Sequence, residues 1–216
     1  MMNQVTVAIV GVGALGQMTA HELVRLGFKK LLLIDKDVFT PGDKNRQLYA
    51  SDAVMGLSKA EVTQRALLYL ASELNITIYK EYLTEINGSA LIGEAAIIVD
   101  CTDNIQSKLY LERLAEEKNI PLVHGAVEGW CGQAAVVYPG DRILEKIYQD
   151  KEIHPAGTYV PTVNLIASIQ SAEVYKWAVK TQCPKERQQL AETTMRGQVL
   201  WADLMHQEYS LLKIQI

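Results

Sequence analysis

The sequence predicts an α/β protein: a doubly wound, mostly parallel sheet with antiparallel strands and a closing C-terminal hairpin. Three observations predict it. Short apolar runs alternate with amphipathic segments through the first two-thirds of the chain, the pattern of repeated strand–helix–strand crossovers. A glycine-rich turn, "GVGALG", separates the first apolar run from the first amphipathic segment. Near the C-terminus, two short runs lie on either side of "MHQ" and read as paired strands.

The elements follow in order. "VTVAIVG" reads as the first strand and "LGQMTAHELVRLG" as the helix after it, with Gly27 as its stop. "KLLLID" is the second strand. "SKAEVTQRALLYLASEL" places apolar residues at helical spacing, and "ITIYK" alternates like a strand. "AAIIVDCTD" is a fully buried strand, followed by the helix "NIQSKLYLERLAEEKN". "IPLVHGAV" and "GQAAVVYP" are two more strands. After Pro139 the character changes: "GDRILEKIYQDKEIHPAGTYVP" has no clear period and reads as a long connection. "TVNLIASIQSAEVYKWAVK" is one long buried helix, and "QVLWADL" with "EYSLLKI" makes the hairpin.

Bulk properties narrow the function. A chain of 216 residues, 49% hydrophobic and 21% charged, suits one well-packed soluble domain, expected to span 1–216. The net charge of −4 disfavours nucleic acid as the main partner. No apolar run approaches the roughly 20 residues that cross a bilayer, so no membrane is expected and a cytoplasmic location is. Cys101, Cys131 and Cys183 form no CxxC pair, so zinc is not expected either.

The glycine turn and the residues after the second strand carry the chemistry. Gly11, Gly13 and Gly16 lie where a strand meets a helix N-terminus, an arrangement that admits a phosphate against free backbone N–H groups. Asp35, at the end of the second strand, falls about 20 residues on, the usual distance for an acceptor to a ribose hydroxyl. Arg46 and Lys59 follow it, with Lys44 nearby. An acid for the sugar plus several cations suits a triphosphate better than a nicotinamide dinucleotide. Asp100 and Asp103 end another buried strand on the same side of the sheet. Asp103, beyond the strand end, is the candidate Mg²⁺ ligand, while Asp100 reads as a cap of the following turn. Together these residues suit attack of a carboxylate on the α-phosphate of ATP. The nucleophile is already ionised, so the work is positioning and charge neutralisation.

"GVGALG", "IDKDVFTPGDKNRQ", "GLSKAEV", "DCTDN" and "HGAVEGWCGQ", in this order, closely resemble the ThiF/MoeB/HesA family. The resemblance runs from about residue 5 to residue 180, and the closing hairpin fits it. It implies a Rossmann-like fold and ATP- and Mg²⁺-dependent adenylylation of the C-terminal glycine carboxylate of a ubiquitin-like sulfur carrier protein ending in Gly-Gly. Such carriers serve thiamin or molybdopterin synthesis. Carried over by position, it implies nucleotide contacts at Gly11, Gly13, Ala14 and Gly16. It adds Asp35 and Asp37, then Asn45, Arg46, Gln47 and Lys59, then Asp103 and Asn104. Arg46, Lys59 and Asp103 are the catalytic set, with Mg²⁺ on Asp103. A homodimer is implied, with the carrier tail in a cleft under residues 139–157.

The chain departs from the family pattern at several points. Asp43 stands where the pattern has asparagine, and the strand begins almost at once, where many members have an arginine-bearing segment. The position of the family's cysteine reads as Ile153, beside His154, so the reaction is expected to proceed without a catalytic cysteine. Cys101 and Cys131 read as packing residues, and Trp130 as a candidate wall of the tail channel. The alternatives are a catalytically silent dimerisation or scaffold subunit, or an NAD-dependent oxidoreductase, which would need an acid/base pair for hydride transfer.

Overall fold

The first apolar run forms β1 (Thr6–Val10), and four of its five residues are buried. This is the signature of a central parallel strand covered on both faces. The computed structural model describes residues 2–149, 157–182 and 194–216. Parallel neighbours flank β1. On one side lies β2 (Lys30–Ile34), followed by β3 (Asn75–Tyr79). On the other lies β4 (Ile97–Asp100), followed by β5 (Leu122–Glu128). The sheet then reverses. β6 (Cys131–Val137), β7 (Gln198–Asp203) and β8 (Glu208–Lys213) add antiparallel, giving the order β3-β2-β1-β4-β5-β6-β7-β8. The doubly wound expectation and the C-terminal hairpin both hold.

Helices cover both faces. α1 (Ala14–Arg25) and α6 (Val160–Gln182) pack together on one face, with α2 (Lys59–Leu70) at its edge. α3 (Gly88–Ile92), α4 (Ile105–Lys118) and α5 (Ile143–Tyr148) cover the other. Local chemistry sets the ends. α1 stops at Gly27, whose φ of +93° suits glycine. There the N–H groups of Gly27 and Phe28 return to the carbonyls of Val24 and Leu23. Ser58 caps α2 through the N–H of Glu61, and Asn104 caps α4 through the N–H of Ser107.

Two readings are corrected, and one element is added. The second long helix ends at Leu70 rather than running on to residue 74, because Ala71 turns to extended backbone. The stretch after Pro139 is not irregular throughout, since Ile143–Tyr148 form α5. Its N-terminal N–H groups, on Leu144 and Glu145, are capped by the carboxylate of Glu112 on α4. That partner is 32 residues from Leu144 in sequence, beyond the reach of a local pattern. The segment between "ITIYK" and "AAIIVDCTD" also holds a helix, the short α3. Ile153, His154 and Cys183 lie outside the described residues. Among the described residues no helix is long and apolar enough to cross a membrane.

Candidate active site

The sheet's crossovers reverse direction between β1 and β4, and open α/β sheets hold ligands at the strand tips beside such a point. A cavity of about 860 Å³ opens there, lined by residues of the glycine turn and by the chain following β2 and β4. The three glycines do different work. Gly11 has φ +85°, and a Cβ on it would lie 2.6 Å from the carbonyl oxygen of Cys101. A Cβ on Gly16 would lie 2.0 Å from the Gly11 carbonyl oxygen, so this glycine lets the helix approach the strand, and it does not line the cavity. Gly13 faces the cavity, and a Cβ there would meet only the side-chain amide of Gln47 at 3.8 Å. Ala14 lines the cavity beside it.

Asp35 is tied to the same turn. Its carboxylate accepts the backbone N–H of Val12 at 2.6 Å and that of Asp37 at 2.7 Å. Burial pushes its pKa up, and the two N–H donors and Lys59 pull the other way. Asp37 also lines the cavity and accepts from Lys59 Nζ at 3.4 Å. Lys59 is the first residue of α2, its side chain only 10% exposed, with Nζ 3.9 Å from Asp43. Arg46 lines the cavity, held by the Gly42 carbonyl at 2.6 Å, by Asn45 at 2.9 Å and by Asp43 at 3.4 Å. Both cations thus line the cavity that reaches the glycine turn, Lys59 largely buried and the Arg46 side chain 30% exposed.

A buried amide relay supports them. Gln17 donates to the Val12 carbonyl at 2.9 Å and to Gln47 at 3.1 Å, and accepts the N–H of Tyr49 at 3.0 Å. Gln47, which lines the cavity, donates in turn to Asp43 at 2.6 Å. Asp43 is 4% exposed and also accepts from the backbone and hydroxyl of Thr40. So the residue that departs from the family pattern is the anchor of the cationic segment.

Across the cavity, Asp103 and Asn104 line the wall, and Asn104 Nδ2 donates to Asp103 at 3.3 Å. Asp100 is fully buried. It accepts the N–H and hydroxyl of Thr102 and pairs with Lys108 at 3.2 Å, which fits the capping role read from its position. Its pKa is held far below the ordinary carboxylate range by Lys108 and His124, which overcome burial. Asn45 does not line the cavity, because its side-chain oxygen is turned to the Arg46 guanidinium. Lys44 pairs instead with Asp52. Cys131 lines the cavity, where burial and Asp203 push its thiol pKa up, and burial does the same to Cys101. Trp130 stacks on Tyr159 with ring centroids 4.7 Å apart.

Sequence reasoning missed several cavity residues. Lys36 lies over the Tyr82 ring at 5.0 Å, and both line the cavity. Lys36 was visible as the neighbour of Asp35, but Gln133 and Tyr148 on the cavity wall, and Gln17 in the buried support, carried no local signal. Their roles arise from contacts across the fold.

The geometry agrees with the comparisons. The chain matches the ThiF family over residues 1–215. It is 31% identical to the molybdopterin-synthase adenylyltransferase of Escherichia coli K12, over 79% of this chain and 71% of that protein. It is 29% identical to the sulfur carrier protein ThiS adenylyltransferase of Bacillus subtilis 168, over 93% of this chain and 60% of that one. The crystal structure of E. coli MccB with ATP shares the fold at TM-score 0.78 and 19% identity, covering 99% of this chain. The chain spans 64% of that MccB chain's length. With a match along nearly its whole length, a close sequence relative and the glycine-turn cavity in place, the chain belongs to the ThiF family.

Proposed function

We propose that this chain, acting over residues 1–216 as one adenylation domain, transfers AMP from ATP to the C-terminal glycine carboxylate of a ubiquitin-like sulfur carrier protein. The observation that carries the reading is the grouping of Asp35, Arg46, Lys59 and Asp103 around one cavity that reaches the glycine turn. The names of the E. coli and B. subtilis relatives support the substrate class. The working form is proposed as a cytoplasmic homodimer.

The chain's residues then divide the work. Asp35 accepts a ribose hydroxyl, and the turn at Gly13 brings backbone N–H groups against the phosphates. Arg46 forks across phosphate oxygens, while Lys59 acts as a compact charge. A carboxylate oxygen of the tail bonds to the α-phosphorus as the bond to the β-phosphate oxygen breaks, and pyrophosphate leaves. The carboxylate needs no general base, and Arg46 and Lys59 oppose its repulsion by the phosphates. Asp103 fits Mg²⁺: it is a carboxylate on the cavity wall whose one side-chain partner among the described residues is the Asn104 amide, and this ion takes few protein ligands beside phosphate oxygens and water. Bound there, Mg²⁺ would supply further neutralisation of phosphate charge. No covalent cysteine step is part of the proposal.

The test is carrier-dependent exchange of labelled pyrophosphate into ATP, with purified carriers ending in Gly-Gly. Arg46→Ala and Asp103→Ala should each abolish exchange while circular dichroism shows an unchanged fold. Undiminished exchange in both variants refutes the site assignment.

A further inference from the structure

Beneath the cavity a chain of buried polar groups runs from β4 to β6. Four donors converge on Asp100. The Thr102 N–H and hydroxyl lie at 2.9 and 2.6 Å, Lys108 Nζ at 3.2 Å, and His124 Nδ1 at 2.7 Å. An ionised carboxylate can only accept hydrogen bonds. His124 must therefore carry its proton on Nδ1. The ring is fully buried, and burial disfavours a second proton, so Nε2 is a bare acceptor. Tyr148 OH, 3.1 Å from Nε2, must donate to it. The Tyr148 oxygen then has only lone pairs left. The Gln133 atom 2.5 Å from it is thereby fixed as the amide nitrogen.

This relay sets which end of the Gln133 amide is free. Gln133 lines the cavity, and no donor from the described residues reaches its Oε1. Its cross-strand neighbours are Ala126 on β5 and Trp201 on β7, which line the same cavity. The row forms the part of the cavity over the antiparallel half of the sheet, away from Asp35, Arg46 and Lys59 on the parallel half. Between a small and a large apolar side chain, it presents one hydrogen-bond acceptor of fixed direction.

We propose that Gln133 is a specificity-determining residue whose Oε1 accepts a main-chain N–H close to the C-terminus of the peptide tail being activated. His124 and Tyr148 are positioning residues that act through it. The inference rests on the adenylation reading and deepens it, because it specifies what the tail must offer: an unsubstituted peptide N–H near the reacting carboxylate. A fixed acceptor rejects a tail that lacks the donor more sharply than an apolar wall does, since the polar group would be left unpaired.

The test uses carriers ending in Gly-Gly, made by ligation with or without an N-methyl group on one of the last two peptide nitrogens, in pyrophosphate exchange. With wild-type enzyme, methylation at one of the two positions should raise the KM for carrier about fivefold or more, the loss of one hydrogen bond. With Gln133→Ala, methylated and unmethylated carriers should have the same KM. Tyr148→Phe keeps the ring packing and should raise the KM for carrier while leaving the KM for ATP unchanged. A methylation penalty equal in wild type and Gln133→Ala overturns the inference. So does a Tyr148→Phe effect that falls equally on ATP. If wild-type enzyme shows no exchange with any Gly-Gly carrier, the adenylation reading fails and takes this inference with it. Exchange with equal penalties sinks the inference alone.

Discussion

The side-chain amide of Gln17 meets that of Gln47 at 3.1 Å, joining the first helix to the cationic segment across 30 positions of sequence. Because Gln17 also holds the Val12 carbonyl, the glycine turn and the cavity-lining cations share one buried support. Gln17→Met keeps the volume and removes every one of these hydrogen bonds. It should lower stability by about 1–3 kcal/mol, since Gln47 and the Tyr49 N–H lose buried partners. It should also weaken ATP binding. Thermal melts and titration calorimetry with ATP check the two effects separately.

Gly13 and Gly16 separate binding from folding. Gly16→Ala would push a methyl to within 2.0 Å of the Gly11 carbonyl oxygen, so the expected result is a marked loss of thermal stability. Gly13 has φ −85°, and a Cβ on it would make only an ordinary contact with the Gln47 amide at 3.8 Å. Gly13→Ala should therefore melt like the wild type yet lose ATP affinity, because its methyl occupies the approach of the phosphates. Equal melting temperatures for the two variants would contradict this division.

Much of this division was readable in advance. The strand, turn and helix around Gly11–Gly16 are set within a dozen residues, so pattern and composition suffice to place them. Arg46 and Lys59 were placed by following their strands to the tips. The support beneath them was not readable. Gln17, Gln47 and Asp43 are hydrogen-bonded through contacts that only the packed fold creates, and Asp43 looked like a defect in a motif rather than an anchor. Asn45 does not line the cavity, and its side-chain oxygen accepts from the neighbouring Arg46. Helix α5 escaped because its cap, Glu112, lies on another element.

Acid should destabilise the protein in two stages. His124 has its pKa lowered below the ordinary 6.5 by burial, so the unfolded state takes the proton first. Its contribution is complete above pH 6.5 and is lost as the pH falls below it. Asp100 has its pKa lowered well below 3.8, and its contribution is lost only as the pH falls below that value. Denaturant titrations at pH 7.5, 5.5 and 3.5, read against His124→Asn, should show the first stage reduced in the variant.

Lys108 is 1% exposed and neutralises Asp100. Lys108→Met would leave a buried carboxylate without its cation, and a loss of about 3–5 kcal/mol is expected. Chemical denaturation reads it directly. Lys108→Met with Asp100→Leu should recover part of that loss, because both charges are then gone.

Cys131 lies on the cavity wall, and its thiol is held in the unreactive, protonated form by burial and Asp203. Cys131→Ser should leave pyrophosphate exchange within twofold of wild type. A tenfold loss would bring a cysteine into the chemistry and revise the proposed function.

The reversal of strand direction at β6 has a consequence for how such a molecule can be altered. On the parallel side, cavity-lining groups come from turns at strand ends, where one change disturbs backbone geometry. On the antiparallel side, they project from the flat of neighbouring strands at Ala126, Gln133 and Trp201, in register and replaceable one at a time. The cavity thus joins a wall set by backbone turns to a wall set by single side chains, and under the proposed function exchanging those three side chains is the direct route to a different acceptor with the nucleotide contacts left in place.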